Sequence, residues 1–129
     1  MTNIIALNRK NAYTTEVKCR DFTIINDEPL DKNGSNMGMT PMELLGASLA
    51  SCTAITLRMY ANRKEWQIDD IQVEVQIDSS STDVSFNKMI TLKNSSLTED
   101  KKNQMLLISK KCPVHKILEK SVIINSYIQ

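Results

Sequence analysis

The sequence predicts an α+β fold for a single domain over residues 1–129. Two observations support this class. Segments with the two-residue period of strands lie on both sides of a long helical segment without charges. Further helical patterns with their own start signals follow the second group of strands. The predicted order is therefore strands, a buried helix, two strands, two helices and a last strand.

Three strands are predicted before the long helix. The segment from Ile4 to Asn8 is short and apolar, and apolar and polar residues alternate from Tyr13 to Arg20. A further strand is expected over Phe22 to Asn26. The polar stretch from Asp27 to Gly38 contains two glycines and predicts a loop that leads into the helix.

The long helix has a clear start signal. Thr40 is a good N-cap, Pro41 stands where a missing N–H group costs nothing, and Glu43 completes a capping box. The helical pattern continues to about Arg63, with no charged residue between positions 44 and 57. This uncharged segment is too short to span a bilayer, so we expect a helix that is buried in a soluble core and packed on all faces.

An antiparallel pair of strands is predicted after this helix. Apolar and polar residues alternate without interruption from Ile71 to Ile77, and a second strand is expected from about Ser85 to Lys93. Four Ser or Thr residues between Asp78 and Asp83 are typical of the turn that connects two such strands. Because consecutive strands usually pair, we expect the two to be neighbours in one sheet.

Two helices and a strand complete the predicted fold. Thr98 is a suitable N-cap for a helix that ends in a pair of lysines, whose charges favour the carboxyl end. Pro113 breaks that helix and predicts the start of a short helix that runs to about Lys120. A last strand is expected over Ser121 to Tyr127.

The composition excludes several classes of function. Sixteen basic and fifteen acidic residues leave the chain nearly neutral, so we expect neither nucleic acid nor a membrane surface as a partner. The segment from Met1 to Leu7 lacks the basic and long apolar regions of a signal peptide, and no transmembrane span is expected. Three cysteines are too few for a secreted disulfide scaffold, which makes the cytoplasm the expected compartment.

Cysteine chemistry is the main functional signal, and Cys112 has the most suggestive position. It directly precedes Pro113 and so lies at the start of the predicted short helix, where unpaired N–H groups favour a thiolate. Lys110, Lys111 and His115 add positive charge nearby in the sequence. From position alone, a reactive thiol and an inert one are both consistent with Cys112.

The other two cysteines have less support from their positions. A cysteine in a buried helix, such as Cys52, is usually a small inert hydrophobe, and a reactive thiol is the less common alternative. Cys19 shares the apolar face of its strand with Val17, which indicates packing. The sequence has no C-x-x-C motif and a single histidine, so neither a metal site nor a bound cofactor is expected.

Four segments of the chain carry a family signature. They are Pro41–Leu45, the Ala- and Ser-rich stretch that ends at Cys52, Thr53–Tyr60 and Cys112–Leu118. Together they resemble the OsmC/Ohr family of osmotically induced and organic hydroperoxide resistance proteins. The resemblance implies an OsmC-like fold, in which antiparallel sheets wrap around the long buried central helices of an intertwined homodimer. It also implies a thiol-dependent peroxidase that reduces organic hydroperoxides and, more weakly, hydrogen peroxide.

The same resemblance implies roles for two cysteines. Cys52 corresponds to the cysteine that attacks the O–O bond and becomes a sulfenic acid, and Cys112 to the resolving cysteine that condenses with it. A dithiol reductant, which the sequence does not identify, then restores the thiols. The apolar residues around Cys52 favour an alkyl or fatty hydroperoxide over a small polar oxidant.

Charged residues are candidates for activating the attacking cysteine. Well-studied family members carry a glutamate directly after the proline, paired with an arginine, whereas this chain has Met42 there and Glu43 one residue later. Glu43 is therefore a candidate catalytic residue or only the capping-box residue. Arg20 is likewise a catalytic candidate or a solvated strand residue. Arg58, further along the helix, is interpreted as an ordinary charge near its solvent end.

Two other functions are consistent with the same sequence. Because the family's glutamate position is changed, an OsmC-like scaffold without peroxidase activity is an alternative, with an apolar small molecule bound in the dimer-interface cavity. A structural or interaction role with inert cysteines is the third. The pKa of Cys52 discriminates between these functions, since a reactive thiol has a pKa well below the usual value of about 8.5.

Overall fold

The computed structural model describes residues 1–10 and 12–129. It consists of two compact units, Met1–Leu45 and Gly46–Gln129, and each is described by itself. Their elements are helices and antiparallel sheets, so the predicted α+β class is confirmed. The organisation as a single domain stays a prediction.

The N-terminal unit contains a three-stranded antiparallel sheet in the order β1-β2-β3. The strands are β1 at Ile5–Asn8, β2 at Thr15–Cys19 and β3 at Phe22–Asn26. All three predicted strands are present, although β2 is shorter than the alternating pattern suggested. It ends at a two-residue turn in which Arg20 has a φ of 54°, a left-handed conformation that breaks the strand.

A buried carboxylate organises the loop that follows β3. Asp27 is 2 % exposed, and it accepts a hydrogen bond of 2.8 Å from the Thr14 hydroxyl. Three backbone N–H groups also donate to it, at Glu28, Ser35 and Met37. Burial raises the pKa of Asp27, but the hydrogen bonds outweigh burial and lower the pKa overall. The loop is therefore held together by an ionised side chain.

The long helix α1 spans Pro41–Lys64. Its predicted capping box is confirmed, because the Thr40 N–H donates to Glu43 Oε1 at 2.9 Å and the Glu43 N–H donates to Thr40 Oγ1 at 3.1 Å. After its last residue, Glu65 has a φ of 58°. A residue in this left-handed conformation is a common way for a helix to end.

Only one face of α1 is buried. The buried residues recur at the three- and four-residue spacing of one helix face: Gly46, Leu49, Thr53, Leu57, Tyr60 and Ala61. On the opposite side, Ile55 is 55 % exposed and Met59 is 65 % exposed. The prediction of a helix packed on all faces is therefore wrong for one chain, because a chain of this size covers one side of a long helix only.

The length and composition of α1 also satisfy the requirements for a membrane span. The helix has 24 residues and is long and apolar enough to cross a bilayer, although the length prediction concerned only its shorter uncharged segment, residues 44–57. One such helix is weak support for a membrane protein, because the core helix of a soluble protein meets the same requirements.

The C-terminal unit contains the predicted antiparallel pair of strands. They are β4 at Asp70–Asp78 and β5 at Ser85–Lys93. Half-buried and exposed residues alternate along both strands, and Val73 lies opposite Ile90 in the register. The predicted alternation and pairing are therefore confirmed.

Packing of α1 against α2 and the sheet forms the core of this unit. Helix α2 spans Glu99–Ser109 and begins after the predicted N-cap Thr98, whose hydroxyl accepts from the Lys101 N–H at 3.3 Å. The buried core residues are Leu57, Tyr60, Ala61, Ile68 and Met105. Half-buried side chains of β4 and β5 pack against them, which fixes the sheet on the buried side of α1.

A short helix, α3 at Pro113–Leu118, follows α2 as predicted. The predicted last strand from Ser121 to Tyr127 is wrong, because residues 121–129 have no regular secondary structure and are exposed. A strand is stabilised by pairing with another strand, and within the described parts of the chain no strand pairs with this segment. Its apolar side chains, including Ile123 and Ile124, are left in solvent.

Candidate active site

Two thiols that are remote in sequence meet in the C-terminal unit. Cys52 lies on α1, Cys112 is the N-cap of α3, and a hydrogen-bonding interaction between the two side chains contributes to the pKa of each thiol. Both cysteines are free thiols. Cys112 has no exposed surface, whereas Cys52 is half-buried. The structure therefore brings together the two cysteines that the family resemblance pairs.

The start of α3 provides a polar cradle for the Cys112 sulfur. Pro113 occupies the first turn of the helix, and the Cys112 sulfur accepts a hydrogen bond of 3.3 Å from the His115 backbone N–H. The Thr53 hydroxyl lies 3.6 Å from the same sulfur. Burial raises the pKa of Cys112, but the bonds from His115, Thr53 and Cys52 and the charge of Lys88 outweigh it and lower the pKa overall.

The Cys52 thiol has the opposite electrostatic balance. Burial raises its pKa, and its hydrogen bond to Cys112 and the charge of that neighbour raise it further. A hydrogen bond from the Val114 backbone N–H and one from the Thr56 hydroxyl act in the other direction and are too weak to reverse the sign. Of the two thiols, Cys112 is therefore the one that loses its proton more readily.

Lys88 is a cation whose charge acts on both Cys52 and Cys112. Its ammonium group donates to the Thr53 Oγ1 at 3.2 Å and to the Ser109 carbonyl at 2.8 Å. Burial lowers the pKa of Lys88, the charges of both cysteines and of Glu119 raise it, and the overall shift is downward. Thr53 of α1 and Ser109 of α2 together therefore hold the Lys88 ammonium group near the two thiols.

A small cavity lies beside this cation. It has a volume of about 210 Å³ and is lined by Leu49, Phe86, Lys88, His115, Leu118 and Glu119. The His115 Nε2 lies 2.9 Å from Glu119 Oε1, so the imidazole pairs with a carboxylate and only the backbone of His115 contacts the Cys112 sulfur. The cavity combines apolar walls with a few polar groups, which is the usual composition of a small-molecule site.

Other residues singled out in the sequence belong to the N-terminal unit. Glu43 precedes Cys52 by about two and a half turns of α1, and its carboxylate is engaged in the capping box. The Arg20 guanidinium lies 5.0 Å from the centre of the Phe22 ring at the hairpin turn. Cys19 is a half-buried residue of β2. None of these residues is among the observed partners of the two thiols, and a catalytic role for Glu43 stays a prediction.

Arg58 is not the ordinary solvent charge that the sequence suggested. Its guanidinium donates to the Ile68 carbonyl and to the Asp69 carbonyl, each at 2.8 Å. Two backbone acceptors in fixed positions suit the planar guanidinium fork. Arg58 therefore ties the end of α1 to the segment that enters β4.

Lys88 and Thr53 were missed by sequence reasoning, although Lys88 left a signal. Along β5 the half-buried positions are Phe86, Lys88, Ile90 and Leu92, so one lysine interrupts an apolar face. A charge at such a position is costly unless it has a partner. Thr53 gave no comparable signal, because a single uncharged threonine on an apolar helix is consistent with packing alone.

The fold and the thiol pair define a class of protein, namely α+β proteins with a dithiol site between a long helix and the start of a short one. The family model for OsmC-like protein matches residues 33–126. The chain therefore belongs to the OsmC-like family. No curated protein sequence matches the chain. Within residues 1–10 and 12–129, no group of three or more His, Cys, Asp or Glu residues is arranged to hold a metal ion.

Solved structures share this fold. A protein from Psychrobacter arcticus 273-4, described as an osmotic stress induced and detoxification response protein, is 26 % identical with a TM-score of 0.77, over 90 % of this chain and 87 % of its own. An OsmC-like protein from Mycoplasma pneumoniae is 22 % identical with a TM-score of 0.71, over 92 % and 87 %. An organic hydroperoxide resistance protein from Legionella pneumophila is 17 % identical with a TM-score of 0.66, over 92 % and 88 %.

Proposed function

We propose that this protein is a thiol-dependent peroxidase that reduces organic hydroperoxides, and hydrogen peroxide more weakly, through Cys52 and Cys112. The observation that carries the proposal is the proximity of the two thiols, which are close enough for each to shift the pKa of the other. A peroxidase of this kind needs a second thiol close enough to condense with a sulfenic acid before it is oxidised further. The name of the Legionella relative adds support at the level of the family.

Differences in exposure and in ease of ionisation support different roles for the two sulfurs. Cys52 is half-buried and can be reached by a peroxide, whereas Cys112 has no exposed surface, so Cys52 is the attacking cysteine. Only a thiolate attacks the O–O bond, and of the two sulfurs Cys112 is the one that ionises more readily. Transfer of the Cys52 proton to an ionised Cys112 resolves this mismatch, because it generates the Cys52 thiolate that attacks the peroxide.

The reaction balances with this single shared proton. The Cys52 thiolate attacks the terminal peroxide oxygen, the O–O bond breaks, and the alkoxide takes the proton from Cys112 to leave as an alcohol. Cys52 is then a sulfenic acid and Cys112 a thiolate again. The Cys112 sulfur attacks the Cys52 sulfur, the S–S bond forms, the S–O bond breaks, and hydroxide leaves and is protonated to water. Two electrons pass from the sulfur pair to the peroxide.

The cavity beside Lys88 supports an apolar hydroperoxide as the substrate. Three of its lining side chains, Leu49, Phe86 and Leu118, are apolar. Hydrocarbon groups transferred from water to such walls contribute about 25 cal/mol per Å² of buried apolar surface. A bulky alkyl group therefore gains binding free energy that hydrogen peroxide lacks.

A homodimer and a dithiol reductant belong to the same proposal. The exposed apolar side of α1, with Ile55 and Met59, favours burial against a second copy of the chain over exposure to water. A dithiol reductant returns the Cys52–Cys112 disulfide to two thiols by exchange. We place this activity in the cytoplasm, with neither nucleic acid nor membrane as a partner.

Consumption of cumene hydroperoxide in the presence of dithiothreitol tests this function. We expect turnover by the wild-type protein, no turnover by Cys52→Ser, and turnover close to wild type by Cys19→Ser. Equal rates for the wild type and Cys52→Ser would refute the proposal.

The second candidate function is storage or transport of an apolar small molecule without peroxidase activity. Two observations favour it, namely the cavity of about 210 Å³ and the raised pKa of Cys52, which results mainly from burial. This function predicts that Cys52→Ala binds an apolar fluorescent probe as tightly as the wild type does. It also predicts that neither protein consumes hydroperoxide.

A further inference from the structure

Lys88 occupies a position that strand packing alone does not explain. It points to the same side of β5 as Phe86 and Ile90, toward the core, and it is half-buried. Within the described residues, no carboxylate lies within ion-pair distance of its ammonium group. A lysine that loses water without gaining a carboxylate costs free energy, so its position points to a different anion.

The hydrogen bonds of Lys88 lead to such an anion. The ammonium group donates to Thr53 Oγ1 at 3.2 Å, and the Thr53 hydroxyl is within 3.6 Å of the Cys112 sulfur. Thr53 has one proton and a competing acceptor, the Leu49 carbonyl at 2.8 Å. A charged sulfur attracts that proton more strongly than it would as a neutral thiol, since hydrogen bonds to ionised acceptors are about twice as strong as neutral ones. Lys88, Thr53 and Cys112 thus form a relay of donors that ends on sulfur.

We propose that Lys88, acting through the Thr53 hydroxyl, is a positioning residue that keeps Cys112 as a thiolate, and that this charge speeds both formation and reduction of the Cys52–Cys112 disulfide. The inference rests on the proposed peroxidase function. It places a cation near the resolving cysteine, in a chain that has Met42 directly after Pro41.

The same charge serves two steps of the cycle. In disulfide formation Cys112 is the nucleophile that attacks the Cys52 sulfenic acid, and its thiolate fraction sets the rate. In reduction, a thiolate of the dithiol reductant attacks the more exposed Cys52 sulfur, the S–S bond breaks, and Cys112 leaves with the electron pair. A stabilised thiolate is the better leaving group. The second thiol of the reductant then releases Cys52, and the reductant becomes a disulfide.

Other ionisable groups also act on this relay. Cys52, Glu119 and Lys110 affect the charge of Lys88, and His115 donates its backbone N–H to the same sulfur. Their contributions are the same in variants that change only Lys88. A comparison of such variants therefore isolates the lysine.

The first test is the ultraviolet absorbance of the thiolate in a protein with one cysteine, made by Cys19→Ser and Cys52→Ser. In this background we expect Lys88→Met to move the titration of Cys112 to higher pH and Lys88→Arg to restore most of the shift. Lys93→Met removes a charge from the exposed end of the same strand and should leave the curve unchanged. Superimposable curves for Lys88 and Lys88→Met would overturn the inference.

The second test follows the Cys52 sulfenic acid with dimedone and the disulfide by mass spectrometry in the three-cysteine protein. We expect the sulfenic acid to form in Lys88→Met. The disulfide should then close about tenfold more slowly than in the wild type at neutral pH, so more Cys52 should be oxidised to sulfinic acid. Disulfide closure at the wild-type rate overturns the role of Lys88 alone. Absence of any oxidation in the wild type overturns the peroxidase function itself.

Thr53→Val provides an independent variant if Lys88→Met does not fold, which circular dichroism reports. The valine keeps the shape of threonine and removes the hydroxyl between Lys88 and Cys112. We expect the same shift of the Cys112 titration, with a smaller size because the lysine charge remains. No shift in Thr53→Val would overturn the proposed relay.

Discussion

Two buried groups that become anions when they lose a proton can be compared in this protein, one in each compact unit. Asp27 accepts from one threonine hydroxyl and three backbone N–H groups, and Cys112 accepts from one threonine hydroxyl, one backbone N–H and one thiol. In both, burial raises the pKa and hydrogen bonds lower it overall. The donors are similar in kind, so the cradle alone does not distinguish a structural anion from a reactive one.

Asp27 and Cys112 differ in the groups that surround their hydrogen-bond donors. The donors of Asp27 are neutral groups of its own loop and hairpin, and they fix the path of the chain. Cys112 instead interacts with a second thiol, that of Cys52, and its threonine donor, Thr53, accepts a hydrogen bond from a lysine, Lys88. An anion that is held by the loop it organises contributes to stability. An anion next to a group with which it can form a covalent bond can contribute to chemistry.

The largest effect that this comparison predicts is that of Cys112→Ser. Serine keeps the cap of α3, but it cannot form a disulfide, so we expect no intramolecular disulfide after peroxide treatment and oxidation of Cys52 to the sulfinic acid. Thermal unfolding should remain close to that of the wild type. Intact-mass spectrometry measures both products, and retention of a reducible species at Cys52 through repeated peroxide additions would contradict the prediction.

A smaller effect is expected at the other anion, from Asp27→Asn. The folded-state pKa of Asp27 is lowered, so its contribution to stability is present above the unfolded pKa of about 3.9 and is lost as the pH falls through the folded pKa. The variant should therefore unfold at lower temperature than the wild type at neutral pH. The difference between the two should shrink in acid.

Calorimetry at neutral and acidic pH measures this difference. The comparison also predicts that Asp27→Asn leaves the thiol chemistry unchanged, with the same yield of disulfide as the wild type. A difference in unfolding temperature that grows in acid would show that Asp27 is not held as an ionised carboxylate.

The smallest effect is expected for Glu43→Gln. Glutamine retains the capping box because its amide oxygen also accepts from the Thr40 N–H, while the negative charge is removed. If Glu43 acts only as a cap, the rate of hydroperoxide consumption stays within about twofold of the wild-type rate. A loss of tenfold or more would return Glu43 to the group of catalytic residues, and steady-state kinetics with cumene hydroperoxide decides between them.

The sequence predicted those features that depend on neighbouring residues. The capping box at Thr40 and Glu43, the alternation along β4 and β5 and the helix start at Pro113 are all local patterns, and the structure contains them. The last strand failed because a strand needs a partner, and no local pattern reports whether one is present. The prediction that α1 is buried on all faces was wrong for the same reason, since burial of its opposite face depends on whether another element packs against it.

The site was only partly accessible from the sequence. Periodicity placed Cys112 at a helix start, but it did not bring Cys52 to it; that pairing came from the family resemblance. The opposite shifts of the two thiol pKa values depend on contacts across the fold, such as those of Thr53 and Lys88 with residues of other elements. Lys88, a charged residue on an otherwise apolar strand face, was the local sequence feature that indicated these contacts.

The central claim is that Cys52 and Cys112 form one redox unit, and the most direct measurement is the product of a stoichiometric peroxide titration. Protein treated with cumene hydroperoxide and then digested without reductant is analysed by mass spectrometry. The account predicts that one equivalent of peroxide per chain converts Cys52 and Cys112 into a single intramolecular disulfide, with Cys19 still a free thiol. Recovery of Cys52 and Cys112 as unmodified thiols in the presence of excess peroxide would contradict it.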